Sequence, residues 1–182
     1  MDNITLMIGP MGSGKSRTLL EAIGITNNDK LEYLVFKPSI DTRAEDMITS
    51  RNGYSHKAIN VTTFSDICQY VFLSNIDVIF IDEVQFIYKD GLKELIKLCK
   101  NRGVEVIAAG LNLTSELEPF ETTALFLCYA DKIVRLRGIC ECGKQANYTE
   151  FLGIKKKSTI EIGGDEKYRS SCENCHKEFK IL

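Results

Sequence analysis

Apolar and polar positions come in blocks along this chain. Ile4–Ile8 is a short continuous apolar run and reads as a strand buried on both faces. A Gly-rich turn follows, then a helix over about 15–22. Residues 33–37 read as the next strand and 59–62 as a weaker one, followed by a helix over about 65–72. Residues 77–81 form a strong strand pattern. Leu92, Leu95, Ile96 and Cys99 share one face of a helix over 92–101. Strands over 104–110 and 132–136 complete the series. Continuous apolar strands separated by helices predict an α/β domain with a parallel sheet covered on both faces. The segment 41–56 is polar and weakly periodic and reads as a mobile loop. From Arg137 the pattern turns polar, short-stranded and Cys-containing, with Gly163-Gly164 in its middle. The reading is therefore one domain over 1–137 and a small separate lobe over 138–182.

Composition narrows the class. The 182 residues are 44% hydrophobic and 26% charged, an ordinary globular balance. A net charge of -2 gives no reason to expect non-specific binding to nucleic acid or an anionic membrane. No apolar run approaches the ~20 residues that span a bilayer. The first residues carry no basic stretch, long apolar region or cleavage site, which places the protein in the cytoplasm as an expectation. Of seven cysteines, Cys68, Cys99 and Cys128 stand in apolar surroundings and read as small core residues. Cys140, Cys142, Cys172 and Cys175 form two close pairs, which in a reducing compartment suggest a metal rather than disulfides.

The turn after the first strand carries the clearest chemistry. Gly9-Pro10-Met11-Gly12-Ser13-Gly14-Lys15-Ser16 fits the phosphate-binding pattern G-x-x-x-x-G-K-[ST]. Its glycines let successive backbone N–H groups face phosphate oxygens, Lys15 places a point charge on the β- and γ-phosphates, and the Ser16 hydroxyl can ligate Mg²⁺. A strand precedes the motif and a helix follows it, as a P-loop for ATP requires. The strand over 77–81 runs into Asp82-Glu83. Acids at the end of a buried strand are costly unless paired or metal-bound. Asp82 is assigned to the Mg²⁺ shell, and Glu83 stands where it can take a proton from a hydroxyl or from water. The residues alone leave kinase and ATPase open. A kinase must exclude water, which requires a lid, and the C-terminal lobe is the candidate.

In that lobe Cys140-Glu141-Cys142-Gly143 and Cys172-Glu173-Asn174-Cys175-His176 suit a tetrahedral Zn²⁺ site. The lobe has too few apolar residues for its own core, so a metal would help it fold. The first pair is C-x-C, tighter than the usual C-x-x-C, and His176 is a possible substitute ligand. Gly163-Gly164, between apolar Ile160 and Ile162 and aromatic Tyr168, suits a flat base held by apolar walls and a few backbone polar groups.

Together these motifs resemble the thymidine kinase family of the compact, zinc-containing type, along nearly the whole chain. The P-loop is similar to the family's GPMFSGKS, Asp41-Thr42-Arg43 to D-[TD]-R, and Ile81-Asp82-Glu83-Val84-Gln85-Phe86 to IDE-x-QF. Ala109-Gly110-Leu111 and Glu118-Pro119-Phe120 bracket another similar segment, Tyr148-Thr149 follows the first Cys pair, and Ile162-Gly163-Gly164 through Tyr168 resembles the family's IGG-x-x-x-Y loop. The resemblance implies γ-phosphoryl transfer from ATP to the 5′-hydroxyl of thymidine or deoxyuridine, with Glu83 as base. It puts Asp82 and Ser16 on Mg²⁺, and Asp41, Thr42, Arg43 and Gln85 near the phosphates. Met11, Thr149, Thr159, Ile160, Glu161, Ile162, Gly163 and Tyr168 would meet the nucleoside. It further implies a homotetramer and feedback by thymidine triphosphate, with no nucleic-acid or membrane partner. Four positions depart from the family pattern. Gly12 replaces a bulky aromatic, Asn112 stands for Asp, Ser115 stands where an aromatic packs on thymine, with Leu113 or Phe120 as substitutes, and the first Cys pair is one residue short.

The expectation is a P-loop NTPase domain with a RecA-like parallel central sheet and a C-terminal zinc-ribbon lobe whose loop closes over the nucleoside. The rival readings are an ATP-hydrolysing, helicase-like domain, suggested by Asp82-Glu83-Val84-Gln85, and a zinc-ribbon nucleic-acid adaptor.

Overall fold

The computed structural model describes residues 3–41, 45–50, 52–153, 163–164 and 166–179. In chain order the first half comprises β1 (Ile4–Ile8), α1 (Lys15–Asn28), β2 (Tyr33–Pro38), β3 (Met47–Thr49), β4 (Ser55–Lys57), β5 (Ile59–Val61) and α2 (Phe64–Leu73). Then come β6 (Val78–Ile81), α3 (Leu92–Arg102), β7 (Glu105–Gly110), α4 (Glu121–Leu127) and β8 (Lys132–Arg135). Six strands make a parallel sheet in the order β5-β2-β6-β7-β1-β8.

Strand pleating splits the core into two layers. Ile79 and Ile81 of β6 join Phe64, Ile67 and Val71 of α2 and Leu92, Leu95, Ile96 and Cys99 of α3 on one face. Val78 and Phe80 turn to the other face, against Leu19 and Ile23 of α1. All four β6 residues are buried, which is why the strand reads as an unbroken apolar run. The helix ends follow local chemistry. Thr63 and Asp66 form a reciprocal capping box at α2, with Asp66 N–H donating to Thr63 Oγ1 at 3.2 Å and Thr63 N–H to Asp66 Oδ2 at 2.8 Å.

The sheet strands lie where the hydrophobic pattern puts them, within a residue or two. Besides α4, which the pattern does not show, three readings differ. α1 does not stop at Ala22 but continues to Asn28, because Ile23 and Thr26 are buried and their packing outweighs Gly24 within the helix. The supposed loop over 41–56 contains the antiparallel hairpin β3–β4, pinned to the α1 layer by buried Ile48. Of the three scattered cysteines, Cys99 is buried and Cys68 half-buried, but Cys128 is exposed at the end of α4 and is not a core residue.

Beyond the sheet lie β9 (Gly138–Ile139), β10 (Gln145–Ala146), β11 (Tyr148–Phe151) and β12 (Tyr168–Ser171). They pair antiparallel as β9–β10 and β11–β12. Each hairpin leads into one cysteine knuckle.

Candidate active site

Every predicted sheet-borne site residue leaves the carboxyl end of a parallel strand, the edge at which α/β sheets bind ligands. The phosphate loop follows β1, Asp41 follows β2, and Asp82 and Glu83 follow β6; Leu111, which is not among the predicted site residues, follows β7 and lines the same space. Gly9 and Pro10 are buried, Met11, Ser13 and Ser16 half-buried, and Gly12 and Gly14 exposed. Gly12 sits at φ 75, in the left-handed region, where a residue with a Cβ is disfavoured. The departure from a bulky aromatic at this position thus coincides with a turn that suits glycine. The buried Lys15 folds across the loop and donates from Nζ to the carbonyls of Gly9 at 3.0 Å and Pro10 at 2.7 Å.

A cavity of about 420 Å³ is lined by Met11, Gly12, Lys15, Ser16, Glu83, Leu111 and Gly164, among others. A second, of about 200 Å³, shares Ser16, Thr49 and Glu83 with it and adds Asp41, Asp82 and Lys37. Asp41, Asp82, Glu83 and the Ser16 hydroxyl line this small space beside the Lys37 ammonium; oxygen donors of this kind are those a hard cation takes. Asp82 is buried, and desolvation pushes its carboxyl up to about 7; the charge of Glu83 adds to the rise, while the Ser16 hydroxyl, the Glu83 N–H and Lys15 oppose it.

Glu83 is held at φ 50, ψ 45, a left-handed conformation that costs a non-glycine residue and recurs at functional sites. Its carboxylate accepts a hydrogen bond from Gln85 Nε2. Gln85 is buried, and its Oε1 accepts from Leu111 N–H at 2.9 Å. The amide therefore bridges Glu83 to the end of β7.

Sequence reasoning passed over Lys37. It is 2% exposed, 3.8 Å from Asp41 Oδ2, and donates to the Met47 carbonyl at 3.2 Å. It thereby ties the end of β2 to the hairpin. The signal was present: a charge at the end of an apolar strand, the same argument applied to Asp82.

The lobe gathers Cys140, Cys142, Cys172 and Cys175, whose sulfurs all lie within 4.8 Å of one another. Tetrahedral Zn–S bonds of ~2.3 Å need sulfurs roughly 3.8 Å apart, so a slight contraction fits zinc. Backbone N–H groups of Cys142 and Cys172 hold the Cys140 thiol down at about 6, whereas the side chains of Cys142, Cys172 and Cys140 push Cys175 up to about 12. Four thiols so close cannot all ionise without a cation among them, and C-x-C spacing does not prevent them meeting. His176 is not a substitute ligand. Its ring is buried, with Nε2 3.1 Å from the Thr149 carbonyl and Nδ1 accepting from Glu178 N–H at 3.3 Å.

The remaining predicted residues divide. Thr149 is buried and accepts from Met11 N–H through Oγ1 at 2.9 Å. Tyr168 packs its ring 5.3 Å from that of Phe151. Gly163 is half-buried. Ser115 is buried, and its hydroxyl has no hydrogen-bond partner among the described residues. Phe120 stacks edge-on against Phe86, with centroids 6.0 Å apart. Thr42, Arg43, Thr159, Ile160, Glu161 and Ile162 lie outside the described residues.

Comparison with known proteins adds a family. A family model described as thymidine kinase matches residues 2–176. A thymidine kinase from Pseudothermotoga lettingae is 34% identical over 177 residues, covering 96% of this chain and 95% of that protein. One from Ureaplasma urealyticum serovar 10 is 37% identical over 185 residues, covering 96% and 82%. Among solved structures, the genome packaging NTPase B204 from Sulfolobus turreted icosahedral virus 2, in complex with ATP-gammaS, superposes with a TM-score of 0.51. It is 14% identical over 74% of each chain, a likeness of fold alone.

Proposed function

Since this chain belongs to the thymidine kinase family, we infer that it transfers the γ-phosphoryl group of ATP to the 5′-hydroxyl of thymidine or deoxyuridine. The observation that carries the reading is the 420 Å³ cavity, in which Lys15 and Ser16 of the phosphate loop and the carboxylate of Glu83 line one wall system. A phosphate cradle and a base facing one space suit in-line transfer, where catalysis is positioning plus charge neutralisation.

Each residue then has a role. The N–H groups of the loop and the N-terminus of α1 bind phosphate oxygens. Lys15 exchanges the Gly9 and Pro10 carbonyls for the β- and γ-phosphates. Glu83 Oε accepts the proton of the 5′-hydroxyl, held in orientation by Gln85. Ser16 and Asp82 would hold Mg²⁺, which when bound neutralises phosphate charge. The four cysteines would hold a structural Zn²⁺. By the family resemblance, Asp41, Thr42 and Arg43 would serve the phosphates, and Met11, Thr149, Gly163, Tyr168 and the segment 159–162 would serve the nucleoside, with the lobe over 138–182 closing above it. A homotetramer in the cytoplasm, inhibited by thymidine triphosphate, completes the proposal; no helix among the described residues is long and apolar enough to cross a membrane. Family membership favours this reading over a DNA-stimulated ATPase or a nucleic-acid adaptor.

The test is Glu83→Gln in a coupled ADP-release assay across the nucleosides. General-base loss should lower kcat by about 10²–10⁴-fold while ATP binding stays nearly intact. Unchanged turnover would remove Glu83 from the base role, and hydrolysis stimulated by DNA instead of a nucleoside would overturn the kinase.

A further inference from the structure

Among the described residues, the hydrogen bonds that the cysteine lobe makes to the phosphate loop converge on one residue, Met11. Thr149 and Ser170 are direct cross-strand partners in β11 and β12, so their side chains leave the same face of the hairpin. Both reach Met11. Thr149 Oγ1 accepts from Met11 N–H at 2.9 Å, and Ser170 Oγ donates to the Met11 carbonyl. The Met11 N–H is thus committed to the lobe and not to a phosphate. Lys15 meanwhile ties the two preceding carbonyls, at Gly9 and Pro10. Neither bond at Met11 comes from within the loop.

The clamp is backed on both strands. Behind Thr149, buried His176 fixes its carbonyl; because Nδ1 accepts from Glu178 N–H, the network assigns the proton to Nε2, which donates to Thr149 O at 3.1 Å. His176 directly follows Cys175, one of the four clustered thiols. Beside Ser170, Gly138 leaves the needed room: a Cβ there would stand 2.3 Å from Ser170 Oγ and 2.8 Å from its Cβ. Ser170 itself is two residues before Cys172. The clamp and the metal-binding sulfurs therefore share one short rigid unit.

We propose that Ser170, with Thr149, is a positioning residue for phosphoryl transfer: the two hydroxyls grip the Met11 peptide and make the shape of the phosphate loop depend on the four-cysteine lobe. The proposal rests on the kinase reading for its functional meaning, but its readouts do not require a nucleoside acceptor.

The experiment uses full-length, metal-loaded protein carrying ¹³C-methyl methionine, whose four methionines give Met11 a signal of its own. Ser170→Ala and Thr149→Val should each shift or broaden the Met11 methyl resonance and leave those of Met7 and Met47 in place. Binding of a fluorescent ATP analogue should weaken about three- to tenfold, which at 1.4 kcal/mol per factor of ten is the net worth of one hydrogen bond. Bound zinc per chain should not change. Thr149→Ser, which keeps the acceptor oxygen, should restore ATP affinity to within about twofold. Stripping the metal from the unmutated protein should move the same Met11 resonance. An unmoved Met11 signal with unchanged ATP affinity in both variants overturns the clamp. Weaker binding that comes only with lost zinc and displaced Met7 overturns it as well, since that is general unfolding. An Met11 signal indifferent to metal removal refutes the dependence on the lobe. If the unmutated protein phosphorylates no nucleoside, the kinase reading fails while these signals still judge the clamp.

Discussion

Asp82 should make the Mg²⁺-free protein less stable as the pH rises, and Asp82→Asn should abolish that loss. The carboxyl is pushed from 3.8 up to about 7, first by desolvation and then by Glu83. Between these values the folded chain holds a proton that the unfolded chain has released. Stability therefore falls from about pH 4 to pH 7 and levels off above. At 1.36 kcal/mol per pKa unit the gap corresponds to ~4 kcal/mol at most. Asparagine keeps the shape and the oxygen that accepts from Glu83 N–H, at 3.0 Å in the unmutated chain. The variant should accordingly gain about 2–4 kcal/mol at pH 8 and almost nothing at pH 4, while losing Mg²⁺-dependent turnover. Urea unfolding across pH 4–8, zinc-loaded and without Mg²⁺, reads the difference directly. Saturating Mg²⁺ should flatten the slope of the unmutated protein, because a bound cation favours the ionised acid. If Asp82→Asn has the same pH slope as the parent, the carboxyl titrates elsewhere and the reasoning fails.

Thr63→Ala should remove half of the capping box at α2 and cost about 1 kcal/mol in denaturant unfolding, with kinetics unaltered. Cys142→Ser should lower bound zinc below one per chain and reduce the melting temperature, as measured by metal analysis and calorimetry; full zinc occupancy would mean the metal is held without Cys142.

The parts legible in the sequence are those whose cause is local. β1, β6 and β7 are buried on both faces, so their apolar runs carry no competing period. The phosphate loop and Asp82-Glu83 are contiguous strings at strand ends. The hairpin β3–β4 was hidden because Ile48 is its one buried apolar residue among those described, and its other inward side chain, His56 on Tyr33, is polar. α4 has seven residues and no side-chain cap, too little for a periodic signal. Lys37 escaped because its partner on β3 lay in a segment read as loop. The contacts of Met11 join residues that no window along the chain can contain.

Those contacts also have a meaning in time. Met11 emerges from synthesis before its partners Thr149 and Ser170, which follow 138 and 159 residues later. At the ~5–20 residues per second of translation, Ser170 follows Met11 by roughly ten to thirty seconds. Through that interval the sheet can form its buried strands, but the loop at its edge lacks both hydroxyls that fix it. The nucleotide cradle is made before the hydroxyls that fix it and takes its final shape only after them.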